Sequence, residues 1–245
     1  MRVTGPTPLQ QDQAAHEDPF LRWHVGPEAP ALLWRADDAV AVTVQRERGM
    51  GAMALGRGEH LDAVLGAALA HLRAEGVEEV RLSVPADADV TVPVEIEDPS
   101  RWEWMWTSVA PPVPVGVAWL TAAEDPAVED LLTHSPRAHA RPGDELVRAW
   151  AGVRREGRLV AAGALCSTTS GTPHLRSIVT HPEQRGQGLG GAVTAALTLR
   201  GLQDSPVVTL GMYSDNDVAR RIYHRLGYQT SHRWVSSLAR LAPGR

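Results

Sequence analysis

Residues 178–200 read IVTHPEQRGQGLGGAVTAALTLR, an apolar strand that runs through a tight arginine–glycine loop into an alanine-rich helix. Gly186, Gly188, Gly190 and Gly191 crowd into this loop. A Cβ at those places would hold a bulky anion off the backbone or forbid the positive φ that such loops adopt. The bare N–H groups then face outward at the start of a helix, where the macrodipole adds positive charge, so the loop suits a phosphate or diphosphate. Arg185 adds a formal charge beside it.

Gly186, Gly188 and Gly191 also satisfy the dinucleotide-binding pattern G-x-G-x-x-G, and Asp215 follows the next predicted strand at roughly the 20-residue spacing of that fingerprint. In such folds the first glycine comes almost directly off the strand. Here His181, Pro182, Glu183, Gln184 and Arg185 intervene, which leaves NAD(P) binding as the lesser alternative. Downstream, residues 207–230 read VVTLGMYSDNDVARRIYHRLGYQT, a predicted strand and helix that carry Asn216, Ala219 and Tyr223 in an N-x-x-A-x-x-x-Y pattern. Asn216 is the chain's single asparagine, and its 3 tyrosines all fall between residues 213 and 228.

Together the two segments resemble the cofactor motifs of the GNAT superfamily of N-acetyltransferases. The family's loop pattern R/Q-x-x-G-x-G/A is matched by Arg185, Gly188 and Gly190, and its second motif by Asn216, Ala219 and Tyr223. The resemblance covers the C-terminal half of the chain. It implies an α/β fold with a mixed, mostly antiparallel central sheet flanked by helices, and acetyl-CoA as co-substrate. By the same resemblance, the amides of Arg185, Gly186, Gln187, Gly188, Leu189, Gly190 and Gly191 grip the diphosphate. The open edge of Ile178, Val179 and Thr180 takes the pantetheine arm like an added strand. A main-chain N–H of Val179 or Thr180 stabilises the oxyanion, and Tyr223 protonates the departing thiolate. His174 is the candidate general base, since an imidazole with pKa near ~6.5 suits that work. A water relay through Glu145 or Asp204 is the alternative, and His181 is expected only to shape the turn before Pro182. The implied function is direct transfer of an acetyl group to a primary amine of a small molecule or peptide through a ternary complex, with no metal. A catalytically silent acyl-CoA sensor on the same fold is the rival reading. The presence of Asn216 and Tyr223 favours the enzyme.

The composition is that of an ordinary globular protein: 245 residues, 43% of them hydrophobic, ample for a buried core. Lysine is absent and all 24 basic residues are arginine, which reads as the mark of a GC-rich, bacterial genome. A net charge of −5 argues against nucleic-acid binding, which needs a basic face, and suits a cationic acceptor. The first residues show no signal-peptide pattern and no stretch approaches the roughly 20 apolar residues of a membrane span. These features predict a cytoplasmic protein with no membrane partner. Cys166, the only cysteine, excludes an internal disulfide and a cysteine-rich zinc site, and its apolar strand predicts plain burial. Neither the acceptor's identity nor the oligomeric state is legible.

Residues 1–17 are polar and patternless, expected as a flexible tail. Residues 59–74 carry Leu61, Val64, Leu65, Ala68, Leu69 and Leu72 at helical spacing, ended by Gly76, between strands predicted at 32–36, 39–45, 50–55 and 79–84. This order repeats that of the C-terminal half, so residues 18–110 are expected to form a degenerate, accessory GNAT-like unit whose loop no longer binds coenzyme A. Residues 111–245 are then the catalytic domain. Trp102, Trp104 and Trp106 alternate along a predicted strand and share one face, for core packing or an aromatic acceptor wall. Residues 133–143 (THSPRAHARPG) form a loop that, in the family, closes over the acceptor.

Overall fold

The computed structural model describes residues 2–26, 29–46, 49–91 and 95–241. Its elements follow in the order β1 (Thr4–Pro8), β2 (Ala31–Ala36), β3 (Ala39–Arg46), β4 (Gly49–Leu55), α1 (Gly58–Ala74), β5 (Glu79–Pro85), β6 (Glu95–Thr107), β7 (Val117–Leu120), α2 (Asp125–Leu132), β8 (Val147–Arg155), β9 (Arg158–Ser167), β10 (Pro173–Thr180), α3 (Leu189–Asp204), β11 (Val208–Tyr213), α4 (Asp217–Arg225) and β12 (Gln229–Arg240). They form two compact units. The first comprises residues 1–104, 213–215 and 231–245, and the second residues 105–212 and 216–230. The expected cut at residue 110 is therefore displaced: most of β12, at the C-terminal end of the chain, belongs to the first unit. No described helix is long and apolar enough to cross a membrane.

In the first unit, alternation of small apolar residues builds strands that run β1-β2-β3-β4-β5-β12. All neighbours are antiparallel except β4 and β5, which α1 connects in parallel. α1 buries Leu61, Val64, Leu65, Ala68, Leu69 and Leu72, the apolar stripe read from the sequence. Each fully buried Leu or Val contributes roughly 1.5–3 kcal/mol relative to exposure, so packing rather than propensity holds the helix. It ends where Gly76 takes φ +77, letting the Gly76 and Val77 N–H groups return to the carbonyls of Arg73 and Leu72. The N-terminal residues are not a loose tail: Thr4–Pro8 pair with β2, and Leu9 and Ala15 are buried. Trp102 and Trp104 join Phe20, His24, His232 and Trp234 in an aromatic cluster, with Trp102 stacked on Trp234 at 6.1 Å between ring centroids. Packing is thus the fate of these two tryptophans.

In the second unit the strands run β11-β10-β9-β8-β7. Again every pair is antiparallel except one, β10 and β11, joined by the α3 crossover. One sheet face carries Leu165, Leu175, Leu210 and Met212 under Leu189, Val193 and Leu197 of α3. The other carries Trp150, Ala162, Ala164, Cys166 and Val179 under Val128, Leu131 and Leu132 of α2. Cys166 is fully buried, as its strand predicted. The succession β2-β3-β4-α1-β5 and the succession β8-β9-β10-α3-β11 have one pairing pattern, so the two halves repeat a single topology. They differ at the crossover: only Gly56 and Arg57 separate β4 from α1, whereas residues 181–188 separate β10 from α3.

Candidate active site

The second unit's parallel pair separates after a short stretch. β10 is in register with β11 only at His174↔Thr209 and Leu175↔Leu210. Its pairing with β9 shifts between Arg176 and Val179, and within that irregularity Ser177 has φ +52. A non-glycine residue in this left-handed region is uncommon and marks a local constraint. Here the constraint is visible: the Ser177 hydroxyl donates to the Ala140 carbonyl at 2.9 Å and accepts from the Ala140 N–H at 2.8 Å. Nothing in the strand-like pattern of residues 174–180 announces this bulge. Ile178, Val179 and Thr180 follow it along the segment that has left β11, with Val179 buried on the α2 side.

Past Thr180 the chain makes one short turn at Pro182–Gln184 and reaches the glycine loop. Gly186 (φ +79) and Gly188 (φ +77) are both left-handed, and a Cβ on either would meet nothing within 4 Å. Backbone conformation, then, calls for glycine at these two places. Gly190 answers a different need: a Cβ there would lie 3.3 Å from Thr180 Oγ1, so it lets α3 start close against β10, whereas a Cβ at Gly191 would make an ordinary contact of 3.5 Å with Ile222 Cγ2. Gly188 caps α3, and Ala192 is the first residue whose N–H returns to the preceding turn, at the Gly188 carbonyl. Among the described residues, the amides of Gly186, Gln187, Gly188, Leu189, Gly190 and Gly191 have no acceptor. A row of unpaired donors at the N-terminus of a 16-residue helix is an arrangement that suits an anion, by the physics of orphan amides and the macrodipole. Arg185 folds back, its Nε donating to the Thr180 carbonyl at 3.3 Å.

Asn216 caps α4, its side-chain oxygen accepting from the Ala219 N–H at 3.0 Å. The cap starts the helix so that Ala219, Ile222 and Tyr223 face the α3-side core. Tyr223 and Tyr228 lie 6.0 Å apart between ring centroids, yet their hydroxyls differ. The Tyr228 hydroxyl bonds to Thr198 Oγ1 at 2.7 Å and is structural. The Tyr223 hydroxyl makes no hydrogen bond among the described residues, and burial pushes its pKa up to about 12. It is a protonated donor without an acceptor.

His174 is not a general base. It is 5% exposed, lies where β10 and β11 are still paired, and its Nδ1 is bonded to Thr209 Oγ1 at 2.8 Å. Burial, with the nearby Arg176 charge, lowers its pKa to about 3, so it stays neutral and inside. Asp204 ends α3 in ion pairs with Arg148 and Arg200, which hold its pKa below the usual carboxylate value. Glu145 is exposed in the turn before β8. Neither carboxylate stands at the β10 bulge. His181 is a packed residue: its N–H donates to the Val160 carbonyl, and its ring meets His134 edge-on at 4.6 Å. Its Nε2 lies 3.2 Å from Arg158 Nη2, and because a guanidinium only donates, this nitrogen accepts. Among the described residues no group of metal-ligating side chains occurs.

Comparison with known proteins agrees with this geometry. Residues 151–235 match the family model described as FR47-like protein, a span that holds the bulge, the glycine loop and α4. No curated protein matches the chain. Among solved structures the chain is similar to a GCN5-related N-acetyltransferase from Sphaerobacter thermophilus, at 17% identity and TM-score 0.54, covering 88% of this chain and 82% of that one. It is similar to another from Kribbella flavida, at 20% identity and TM-score 0.52, covering 95% and 94%. An acetyltransferase of the GNAT family from Colwellia psychrerythraea gives 14% identity and TM-score 0.53, covering 97% and 99%. The fold is that of the GNAT acetyltransferases, and the stretch carrying both sequence motifs is FR47-like.

Proposed function

We propose that the protein is an acetyl-CoA-dependent N-acetyltransferase acting on a primary amine of a small molecule or peptide. The observation that carries this reading is the run of acceptor-free amides from Gly186 to Gly191, held open by two left-handed glycines at the head of α3. Their spacing and charge suit a diphosphate, and the unpaired edge after the β10 bulge suits an extended amide chain leading away from it. Acetyl-CoA brings an activated thioester to this edge.

The residues then have separate tasks. A main-chain N–H of Val179 or Thr180 donates to the thioester carbonyl oxygen as charge gathers there. Holding amine and thioester together supplies much of the acceleration. As the C–N bond forms and the C–S bond breaks, Tyr223 gives its proton to the leaving sulfur and the amine's proton passes to solvent. Asn216 contributes indirectly, by capping the helix that presents Tyr223.

Calorimetric titration with coenzyme A, paired with a thiol-release assay on a panel of amines, tests the reading. Binding near micromolar strength with turnover of some amine is expected. Binding without turnover on any amine would favour the acyl-CoA sensor, and preference for NAD(P) would return the dinucleotide alternative.

A further inference from the structure

The acidic balance of the chain suits a cationic acceptor, but beside the β10 bulge stands an arginine whose side chain has no partner among the described residues. Arg176 immediately precedes Ser177 and is in register with Ala164 of β9, a member of the α2-side cluster. It therefore stands on the sheet face opposite α3 and the glycine loop. Arg176 is partly buried, and its side chain makes no hydrogen bond, ion pair or ring contact among the described residues. A guanidinium that has lost part of its hydration without gaining a counter-charge is costly, and its planar fork matches a carboxylate or phosphate. The two hydrogen bonds between Ser177 and Ala140 pin the segment 133–143 beside the bulge. That segment, THSPRAHARPG, carries Arg137, Arg141, His134 and His139 and no acidic residue. Arg141 is engaged by Glu129 at 2.8 Å, which leaves Arg176 as the cation nearest the bulge without a partner.

We propose that the acceptor carries an anionic oxyacid group, carboxylate or phosphate, beside its amine, and that Arg176 seats this group so that the nitrogen meets the thioester at the bulge. The proposal rests on the acetyltransferase reading: if the diphosphate enters along the α3 face, the acceptor has the α2 face left to approach from. Arg176 is then a specificity-determining residue, and the acceptor class narrows from any primary amine to amino acids or aminoalkyl phosphates.

Matched acceptors test it. Phenylalanine, phenylalaninamide and phenethylamine share a body and differ in the charged group, and O-phosphoethanolamine with ethanolamine does the same for phosphate. Rates are compared per free-base amine at saturating acetyl-CoA. The anionic member of one set should be preferred, and which set responds tells carboxylate from phosphate. Arg176→Gln should raise that acceptor's KM by roughly tenfold to a hundredfold, the size of a lost charge-assisted hydrogen-bond pair, with kcat and the KM for acetyl-CoA little changed. Arg176→Lys should recover part of the loss. Calorimetry on the coenzyme A complex gives a readout without turnover: N-acetylphenylalanine or N-acetyl-O-phosphoethanolamine should bind wild type and not Arg176→Gln. Preference for the neutral amines, or a preference for the anion that survives Arg176→Gln, overturns the proposal. Failure to bind coenzyme A at all would instead remove the acetyltransferase reading, and this inference with it.

Discussion

Tyr223 and Tyr228 are two buried phenols a few ångströms apart, and among the described residues only the Tyr228 hydroxyl has a hydrogen-bond partner. Thr198 Oγ1 donates to the Thr194 carbonyl, so it accepts from Tyr228; Tyr228→Phe removes that bond and should cost on the order of 1 kcal/mol in chemical denaturation. Tyr223→Phe breaks no bond in the protein, so its stability should hold while kcat falls by roughly 10²–10⁴-fold, the usual weight of a general acid. Equal losses in coenzyme A affinity and kcat would reduce Tyr223 to a packing residue. His174 gives a prediction of a different kind. Its pKa lies near 3 in the fold against an ordinary 6.5, so the unfolded chain takes the proton first as pH falls. Its contribution to stability is complete above about 6.5 and is lost progressively toward pH 3, by up to roughly 5 kcal/mol. The difference in melting temperature between wild type and His174→Gln, followed across that window, should shrink as the pH drops. The pH–rate profile of a folded His174→Gln protein should keep the wild-type shape, and loss of an inflection near neutrality would restore His174 as a base.

The glycine loop and α3 act as one element. Gly188 combines φ +77 with open space, so Gly188→Val strains the backbone by ~1–2 kcal/mol and puts a branched side chain before the amides. Coenzyme A affinity should fall at least tenfold in a titration, while Gly190→Ala meets Thr180 Oγ1 and should disturb packing first. If Gly188→Val binds coenzyme A normally, the amides are not the diphosphate's ligands. Most of these elements were readable from the chain. The stripe of α1 and the Gly76 stop follow from side-chain period and cap chemistry, which are local. The Ser177 bulge was not readable, because its cause is a hydroxyl bonded to the backbone of Ala140, far away in sequence.

The partition of the chain into units carries the last prediction. A fragment of residues 111–245, the division suggested by the repeated order of elements, omits Met105, which is 0% exposed in the α3-side core. It also leaves Trp234, Ser236 and Ala239 of β12 without β5. Such a fragment should aggregate or melt without a cooperative transition, whereas the full chain melts sharply. A monomeric fragment that binds coenzyme A as tightly as the full chain would show that the second unit needs neither.

The two motifs, through their resemblance to a known family, were enough to name the fold and to single out the glycine loop and Tyr223, because a glycine-rich turn and an amphipathic helix are written in neighbouring residues. Long-range contacts settled the rest. They put His174 inside a paired stretch of sheet, returned β12 to the first unit and ordered the presumed N-terminal tail. They also left the Arg176 side chain without a counter-ion among the described residues of a chain whose net charge is −5. Burial, strand exchange and local charge depend on which distant residues meet, and no window of sequence contains that.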